Sequence, residues 1–441
     1  MTTLEQLRAG NLAGIRRLTL KCGLQTFPHE IFDLADSLEI LDLSGNALSS
    51  LPDDLPRLHK LRILFCSDNQ FTTIPQVLGQ CRQLSMVGFK ANQICTVPGN
   101  ALPATLRWLI LTDNQITDLP AEIGRCTQLQ KLMLSGNQLR ALPTEMSACT
   151  QLELLRISAN QLTELPAYLL TLPKLAWLAF AGNPFCQSAE AAALDSMPIE
   201  LIDWDHLTLE QPLGEGASGV IHQAQWCNNQ EQQTVAVKLF KGAVTSDGLP
   251  QSEMSACISA GAHAHLIPVL GKVVGHPENV HGMVMELFDP AFINLAGPPS
   301  LESCTRDIYA VGATFDLNAI VKLAHGMASA AQHLHAQGLM HGDLYAHNIL
   351  HNPHGVALLG DFGAASFLEP ENQPQAQALQ RIEVRAFACL LEELLARCTS
   401  AANTSPCILQ TLIDLKSACS QETPNNRPLF SEIEQALINL A

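Results

Sequence analysis

The sequence predicts a solenoid of short structural repeats followed by a second domain without repeats. Three observations lead to this prediction. One leucine-rich phrase recurs from about residue 15 to residue 185, its period stops around Leu207, and a glycine-rich segment between strand-like apolar runs follows. A chain of 441 residues has room for about two to three domains. We assign residues 1–200 to the repeats with a C-terminal cap and residues 205–441 to the second domain.

The repeated phrase is L-x-x-L-x-L-x-x-N-x-L-x-x-L-P, as in residues 38–52 and 129–143. Its asparagines follow one another at intervals of 22 or 23 residues: Asn46, Asn69, Asn92, Asn114, Asn137, Asn160 and Asn183. Such a period is typical of the leucine-rich repeat family, which this segment resembles. The resemblance implies an α/β solenoid whose strands bury leucines and whose asparagine side chains satisfy backbone groups in the turns.

Two rows of side chains, four and six residues before the asparagines, are expected to point away from the leucine core, because side chains alternate along a strand. These rows include Phe65, Trp108, Ile110 and Trp177. Exposed aromatic residues favour a protein partner or substrate on the concave face of the solenoid. Alternatively, the neighbouring domain or the curvature of the repeats covers part of this face. The segment after Asn183 is expected to cap the repeats.

Composition excludes several classes of partner. A net charge of -17 disfavours nucleic acid and anionic membrane surfaces. No apolar run is long enough for a membrane span, and the N-terminal residues lack a secretory pattern, so a cytoplasmic protein is expected. The 14 cysteines show no metal-ligand spacing. Cys81, Cys126 and Cys149 fall in a leucine column of the repeats, which predicts core thiols.

The second domain begins with the pattern G-x-G-x-x-G at Gly214, Gly216 and Gly219. Dinucleotide-binding folds continue such a pattern into a helix, whereas here an apolar strand follows and the next strand carries Lys238. The motifs HGDLYAHNIL and GDFG then appear in that order. Together these motifs resemble the protein kinase family over residues 207–441, which implies a two-lobed α+β fold that binds ATP and Mg2+.

The resemblance assigns roles to individual residues. Lys238 is expected to hold the α- and β-phosphates of ATP and to pair with Glu253. Asp343 is expected to accept the proton of the substrate hydroxyl. Asp361 and Asn348 are expected to ligate Mg2+. The other residues expected at the ATP site belong to the glycine loop and the adenine pocket: Leu213, Gly214, Gly216, Gly219, Ile221, Ala236, Glu286 and Phe288.

Two acidic residues are expected to support this site through buried contacts. By resemblance, Arg427 should pair with Glu371, which stands where the family has an A-P-E motif. Glu383 stands where the family has an aspartate that braces the catalytic loop, which is HGDLYAHNIL at residues 341–350 here, and its longer side chain could reach the same loop.

Several positions depart from the family pattern. Gly342 replaces the arginine that senses phosphate on the activation loop, and Tyr345 replaces a lysine that contacts phosphate in serine/threonine kinases. The activation segment, which runs from Asp361 to Glu371, is also shorter than in the family. Ser366 is the only hydroxyl side chain in residues 361–381. The arginine that senses phosphate is therefore absent, and the residues that could carry the phosphate are reduced to one.

We interpret the chain as an active protein kinase, serine/threonine-directed, whose repeats recruit a protein partner or substrate. Two alternatives stay open. Tyr345 and the short activation segment also suit a pseudokinase scaffold that binds ATP without transfer. A reduced docking platform also suits a kinase-like phosphotransferase that acts on a small molecule. Transfer of the γ-phosphate to protein separates the first interpretation from the others.

Overall fold

In a computed structural model, the chain forms two compact units, Met1–Lys174 and Leu175–Ala441. The structure describes residues 3–196, 199–216, 218–228, 231–242, 244–245, 247–352, 355–369, 372–399 and 406–440. This division lies earlier in the chain than the boundary expected from the repeat pattern. The last repeat strand and the predicted cap belong to the second unit by packing.

The first unit is a series of repeats, each with a three-residue strand, and opens with helix α1, Thr3–Arg8. Its strands pair in parallel and in chain order. They are β1 Arg17–Thr19, β2 Ile40–Asp42, β3 Ile63–Phe65, β4 Met86–Gly88, β5 Trp108–Ile110, β6 Lys131–Met133 and β7 Leu154–Arg156. Short 3-10 helices connect them: His29–Leu34, Leu55–Arg57, Gln76–Gln80, Gly99–Ala101, Ala121–Arg125, Thr144–Ala148 and Ala167–Thr171. The predicted leucine-rich-repeat solenoid is confirmed.

The asparagines of the first unit satisfy backbone groups, as predicted. The Asn137 side chain donates to the carbonyls of Leu111 and Leu134, both at 2.9 Å, and accepts from the Ile116 N–H at 3.0 Å. Each asparagine therefore ties two successive repeats together. Equivalent bonds are made by Asn46, Asn69, Asn92, Asn114 and Asn160.

The three cysteines in the leucine column are buried core thiols, which confirms their predicted role. Burial raises the pKa of Cys81 to about 11, that of Cys126 to about 12 and that of Cys149 to about 11. These thiols are protonated at neutral pH and act as small apolar side chains.

The outward rows of the first unit keep partly exposed aromatic and aliphatic side chains. Phe65, Trp108 and Ile110 are all half-buried. The ammonium of Lys131 lies 4.4 Å from the centroid of the Trp108 ring, a cation–π contact.

The first part of the second unit contains a six-stranded sheet and two helices. Strand β8, Trp177–Ala179, and helix α2, Gln187–Ser196, precede the sheet. The next elements are β9 Glu200–Asp203, β10 Leu207–Glu215, β11 Gly219–Asn228, β12 Glu231–Phe240, α3 Pro250–Ala260, β13 Val269–Val274 and β14 Gly282–Glu286. The strand order is β10-β11-β12-β14-β13-β9, antiparallel except for the pair of β13 with β9.

The remaining residues form a mainly helical lobe. Helix α4, Leu317–Ala336, begins at a cap in which the Asp316 side chain accepts from the Ala319 N–H at 2.7 Å. Phe387 and Phe430, on two other helices, pack edge-to-face with ring centroids 5.6 Å apart. The elements are β15 Ile293–Asn294, α4 Leu317–Ala336, β16 Leu339–Met340, β17 Ile349–His351, β18 Ala357–Leu359, β19 Ser366–Phe367, α5 Gln373–Leu395, α6 Pro406–Cys419 and α7 Phe430–Ile438. The second unit thus has the predicted two-lobed α+β kinase fold with a shortened activation segment.

Trp177 is not exposed, so the prediction that it anchors a partner is wrong. Only 1% of its surface is accessible. Its ring stacks on Tyr345, which belongs to the same compact unit. The alternative that kinase-domain residues cover part of this row is therefore confirmed at Trp177.

Among the described residues, no helix combines the length and the hydropathy that crossing a membrane would require.

Candidate active site

The glycine loop connects β10 to β11 as an open turn. The Gly216 N–H donates to the Gly219 carbonyl at 2.9 Å. A side chain at Gly219 would collide with the Leu239 carbonyl, so glycine is needed where β12 passes close by. A side chain at Gly214 or Gly216 would meet nothing within 4 Å. A ligand can therefore approach the loop backbone. Ala217 lies outside the described residues.

A cleft beneath this loop brings together six of the thirteen residues predicted for the site. The predicted residues that line it are Gly216, Gly219, Ile221, Lys238, Glu253 and Asp361. Sequence reasoning did not assign several further lining residues to the site, among them Ser218, Cys257, Ile267, Val269 and Met283. The place of Cys257 in the lining could have been predicted from the sequence, because it lies four residues after Glu253 on α3 and shares the same helix face.

The other predicted ATP contacts lie at the edge of this cleft or outside its lining. Ala236 is buried, two residues before Lys238 on β12, and pairs with Met285 of the lining. Leu213 is 46% exposed on β10. Glu286 ends β14 and Phe288 is half-buried just beyond it.

A buried ion cluster forms the floor of the cleft. Lys238 projects from β12 and forms an ion pair and hydrogen bond with Glu253 of α3. The Lys238 ammonium also lies 3.9 Å from the Asp361 carboxylate. The side chains of Lys238 and Glu253 are 8% and 1% exposed, whereas that of Asp361 is 52% exposed. The predicted lysine–glutamate pair is therefore present, and one carboxylate of the cluster opens toward solvent.

Burial and the opposite charge of the partner act against each other on the charge states of this pair. It raises the pKa of Glu253 to about 7, against the lowering effect of Lys238. Burial alone would lower the pKa of Lys238, but Glu253 and Asp361 outweigh it and raise that pKa above its usual value. The lysine is therefore charged at neutral pH, and the glutamate is poised to lose its charge on mild acidification.

The segment that carries Asp361 is fixed by its neighbours. Phe362 is buried and its ring centroid lies 5.0 Å from that of His341. The Nε2 atom of His341 is 3.0 Å from the Gly360 carbonyl. Asp361 itself adopts a left-handed backbone conformation with φ 56°, which is uncommon for residues other than glycine and occurs frequently at functional sites. These contacts hold the Asp361 carboxylate beside Lys238.

Asp343 lies in the catalytic loop and is oriented by Asn348. The Nδ2 atom of Asn348 donates to the Asp343 carboxylate and to its backbone carbonyl, both at 2.9 Å. Because these bonds use the amide nitrogen, the side-chain oxygen of Asn348 remains the atom suited to a metal. The two residues therefore form one unit within the loop.

Glu383 of α5 supports the catalytic loop from below, as its position in the family pattern implied. Its carboxylate accepts from the Gly342 N–H at 2.7 Å and lies 2.7 Å from Nε2 of His335. Burial opposes the charge of Glu383, but the bond to His335 and the nearby His341 outweigh it and lower its pKa. The longer side chain thus reaches the loop that an aspartate would brace.

A histidine–aspartate pair beside the loop was missed by sequence reasoning. Asp307 is buried and accepts from the His347 backbone N–H at 3.0 Å, and its other carboxylate oxygen lies 2.7 Å from Nδ1 of His347. Burial disfavours the charged imidazole, yet Asp307, Asp343 and Asp361 raise the pKa of His347. The partners are 40 residues apart in sequence, in no recognisable spacing, so no local signal identifies the pair.

The oxygen atoms present fit Mg2+ held together with phosphates. Asp361 offers a partly exposed carboxylate and Asn348 an amide oxygen, which are ligand types that magnesium prefers. The described residues contain no group of three or more His, Cys, Asp or Glu able to hold a metal. Such a site suits magnesium, which typically combines one or two carboxylates with substrate phosphates and water.

Arg427 is buried and bonded to backbone carbonyls. Its Nε donates to Gln421 and its Nη1 to Arg381, both at 3.0 Å. The predicted partner Glu371 lies outside the described residues, so that pairing stays a prediction.

Comparison with known proteins agrees with this geometry. Residues 207–402 match a family model described as protein tyrosine and serine/threonine kinase. Residues 104–162 and 37–58 match two leucine-rich repeat models.

Curated relatives match part of this chain at low identity. Fibroblast growth factor receptor 1 of Pleurodeles waltl is 25% identical over 199 residues, which cover 43% of this chain and 24% of the receptor. The probable serine/threonine-protein kinase gdt4 of Dictyostelium discoideum is 24% identical over 42% of this chain and 11% of its own length. Serine/threonine-protein kinase mos of Xenopus laevis is 22% identical over 287 residues, 58% of this chain and 74% of mos. The match thus spans about a quarter of the receptor's length.

Proposed function

Because the chain carries leucine-rich repeats followed by a protein tyrosine and serine/threonine kinase domain, we propose that it is an active ATP-dependent protein kinase. Its acceptors are serine or threonine side chains, and its repeats recruit a protein partner or substrate. Two of the relatives carry the name serine/threonine-protein kinase, which supports this choice of acceptor.

The observation that carries the proposal is the joint assembly of two groups in one unit. Lys238, Glu253 and Asp361 are clustered at the floor of the cleft. Asp343 is held by Asn348 within the loop that leads to this cluster. A scaffold that only binds nucleotide would need the first group but not an oriented proton acceptor.

In the proposed reaction, Lys238 binds the α- and β-phosphates while Glu253 keeps its ammonium in place. Asp361 and Asn348 hold magnesium, which neutralises charge on the phosphates when bound. Asp343 accepts the proton of the acceptor hydroxyl as its oxygen attacks the γ-phosphorus and the bond to the ADP oxygen breaks. Positioning and charge neutralisation supply most of the catalysis.

The test is transfer of labelled γ-phosphate from ATP, with magnesium, to the chain itself and to a casein-type protein mixture. We expect labelled phosphoserine or phosphothreonine with the wild type. Asp343→Asn should lower transfer by a factor on the order of 100 or more, because it removes the proton acceptor but no phosphate contact. ATP affinity should change little.

The other outcomes identify the alternatives. ATP binding without transfer to any acceptor would favour the scaffold. Loss of the γ-phosphate to small hydroxyl compounds, but not to protein, would favour a small-molecule phosphotransferase. Labelled phosphotyrosine alone would overturn the serine/threonine assignment and leave the kinase assignment intact.

Recruitment by the repeats rests on the half-buried residues Phe65, Trp108 and Ile110 of the first unit. Trp108→Ala should weaken capture of a protein substrate by about 2 kcal/mol if the tryptophan is an interface hot spot. Phosphorylation of a short peptide should stay unchanged. Equal KM values of wild type and variant for every protein substrate would contradict recruitment by this face.

A further inference from the structure

Strand β8 packs directly on the catalytic loop, within the second unit. The indole of Trp177 stacks on the phenol of Tyr345 with ring centroids 4.1 Å apart and an angle of 6° between planes. Its Nε1–H also donates to the Leu344 carbonyl at 3.2 Å. One buried side chain therefore contacts two successive residues that follow Asp343.

The residue before Asp343 contacts the same strand. Gly342 has φ 73°, and a Cβ built there would lie 2.6 Å from the Leu178 carbonyl oxygen and 2.5 Å from that of Ala364. These distances exclude a side chain, and the backbone conformation is one that L-residues rarely adopt. Glycine thus lets the backbone of β8 approach the loop.

The shortened activation segment makes a third contact. Ser366 is fully buried, and its Oγ accepts from the Phe180 N–H at 3.1 Å. The hydroxyl lies 3.4 Å from the Ala364 carbonyl, to which it donates. The single hydroxyl side chain of this segment is therefore a structural contact for the residue that follows β8.

We infer that β8 is a built-in positioning element for Asp343, with Trp177 as its principal side chain. Asp343 lies between the two points at which β8 meets the loop, Gly342 and the pair Leu344–Tyr345. The departures from the kinase pattern at Gly342 and Tyr345 and the burial of Ser366 share one cause, because each of these residues contacts β8 or Phe180, which follows it. The strand fixes the loop by intramolecular packing. No phosphate on the activation segment, and no arginine that binds such a phosphate, is needed.

This inference rests on the proposed kinase activity for its catalytic readout. Loss of the Trp177 ring should let the loop shift, and a displacement of about 1 Å near reacting groups can lower a rate by a factor of about 100. Trp177→Ala should therefore lower kcat at least about tenfold. The KM for ATP should change less than about twofold, because the Lys238–Glu253 pair is untouched. Trp177 acts as a positioning residue, since it reaches the reacting atoms only through the loop.

The experiment uses the full chain with Trp177→Ala, Trp177→Phe and the control Trp204→Ala. Trp204 is a partly buried tryptophan of the same unit that packs edge-on against His276 at 4.3 Å. Trp177→Phe keeps an aromatic ring but removes the bond to Leu344, so it should retain most of kcat and remain informative if the alanine variant fails to fold. Trp204→Ala should leave kcat within about twofold of wild type once the fraction of folded protein is matched.

Two further readouts separate positioning from general destabilisation. Hydrogen exchange without nucleotide should accelerate in residues 342–348 of Trp177→Ala and stay unchanged in the β10–β12 sheet. In the background of Tyr345→Ala, Trp177→Ala should cause little further loss of kcat, because the two rings act as one pair.

The outcomes are decisive for the inference. Wild-type kcat in both Trp177 variants, equal losses in Trp177→Ala and Trp204→Ala, or full additivity with Tyr345→Ala would overturn it. If the wild type transfers no phosphate, the proposed function fails, and exchange in residues 342–348 still tests the positioning. Unchanged exchange there would refute the inference independently of activity.

Discussion

Replacing Glu383 should destabilise the second unit more than most single substitutions. Its side chain is 1% exposed and serves two buried donors, the Gly342 N–H and Nε2 of His335, each at 2.7 Å. Because its lowered pKa keeps the carboxylate ionised, it can only accept, so Nε2 of His335 must carry the proton. Glu383→Ala removes the carboxylate that accepts from both donors.

The size of the effect follows from these contacts. An unsatisfied buried donor costs about 1–3 kcal/mol, and removing one partner of a buried charged pair costs about 3–5 kcal/mol. We therefore expect Glu383→Ala to lower the free energy of unfolding by about 3–5 kcal/mol. Glu383→Gln keeps the shape and one acceptor, but its NH2 group would face Nε2 of His335. The proton would then move to Nδ1, which has no hydrogen-bond partner among the described residues, so about 1–3 kcal/mol should be lost.

Urea denaturation measures this effect. Trp108→Phe, introduced in every variant, removes the tryptophan of the first unit, so the remaining three report on the second unit alone. The contribution of a carboxylate with a lowered pKa is complete above its usual value near 4.5 and is lost as the pH falls through its folded value. The difference between wild type and Glu383→Gln should therefore shrink under acid conditions below that value. A loss under about 1 kcal/mol in Glu383→Ala at neutral pH would refute the reasoning.

Three further predictions concern the cleft, the activation segment and the repeats. Turnover should fall as the pH drops through about 7, because burial raises the pKa of Glu253 to about this value. The pH–rate profile of Glu253→Gln should lack this fall on the acid side. A fall that persists in the variant would assign it to another group. Phosphatase treatment should leave kcat within about twofold, because Ser366 is fully buried; a large drop would reveal a phosphate-dependent state. Asn137→Ala should lower the free energy of unfolding of the first unit by about 1–3 kcal/mol, since the buried Ile116 N–H loses its acceptor, while the Leu111 and Leu134 carbonyls keep their bonds from Asn114 and Asn160. The exposed variant Gln138→Ala, with an expected change under about 0.5 kcal/mol, is its control.

The periodic part of the chain was predictable because its contacts repeat at a fixed spacing. The bonds of Asn137 connect residues 3 and 26 positions away, so the period in the sequence directly reflects the contact in space. The pair of Lys238 and Glu253 was also predictable, since a strand and the following helix bring them together within 15 residues. In both cases the separation is set by local elements.

Other features were hidden because the sequence shows a residue's row but not what covers that row. Trp177 belongs to the same outward row as Trp108, yet the partner of its indole lies 167 residues away. His347 and Asp307 are likewise joined across a segment without a motif. At such positions, residues that are distant in sequence bury a side chain that would otherwise be exposed. The period of the repeats does not show which residues are buried in this way.

The departures at the catalytic loop acquire a physical meaning when considered together. An arginine at position 342 cannot coexist with β8, because even a methyl group there would come within 2.6 Å of the carbonyl oxygens of Leu178 and Ala364. A phosphate sensor and a docked strand are therefore mutually exclusive at this position. Once the strand is docked, a phosphate on Ser366 would have to be buried. It would lie beside the Phe180 N–H, which already donates to the Ser366 hydroxyl. Loss of the sensor and inaccessibility of the target thus follow from one packing arrangement, and a large aromatic residue at position 345 completes it by stacking on Trp177.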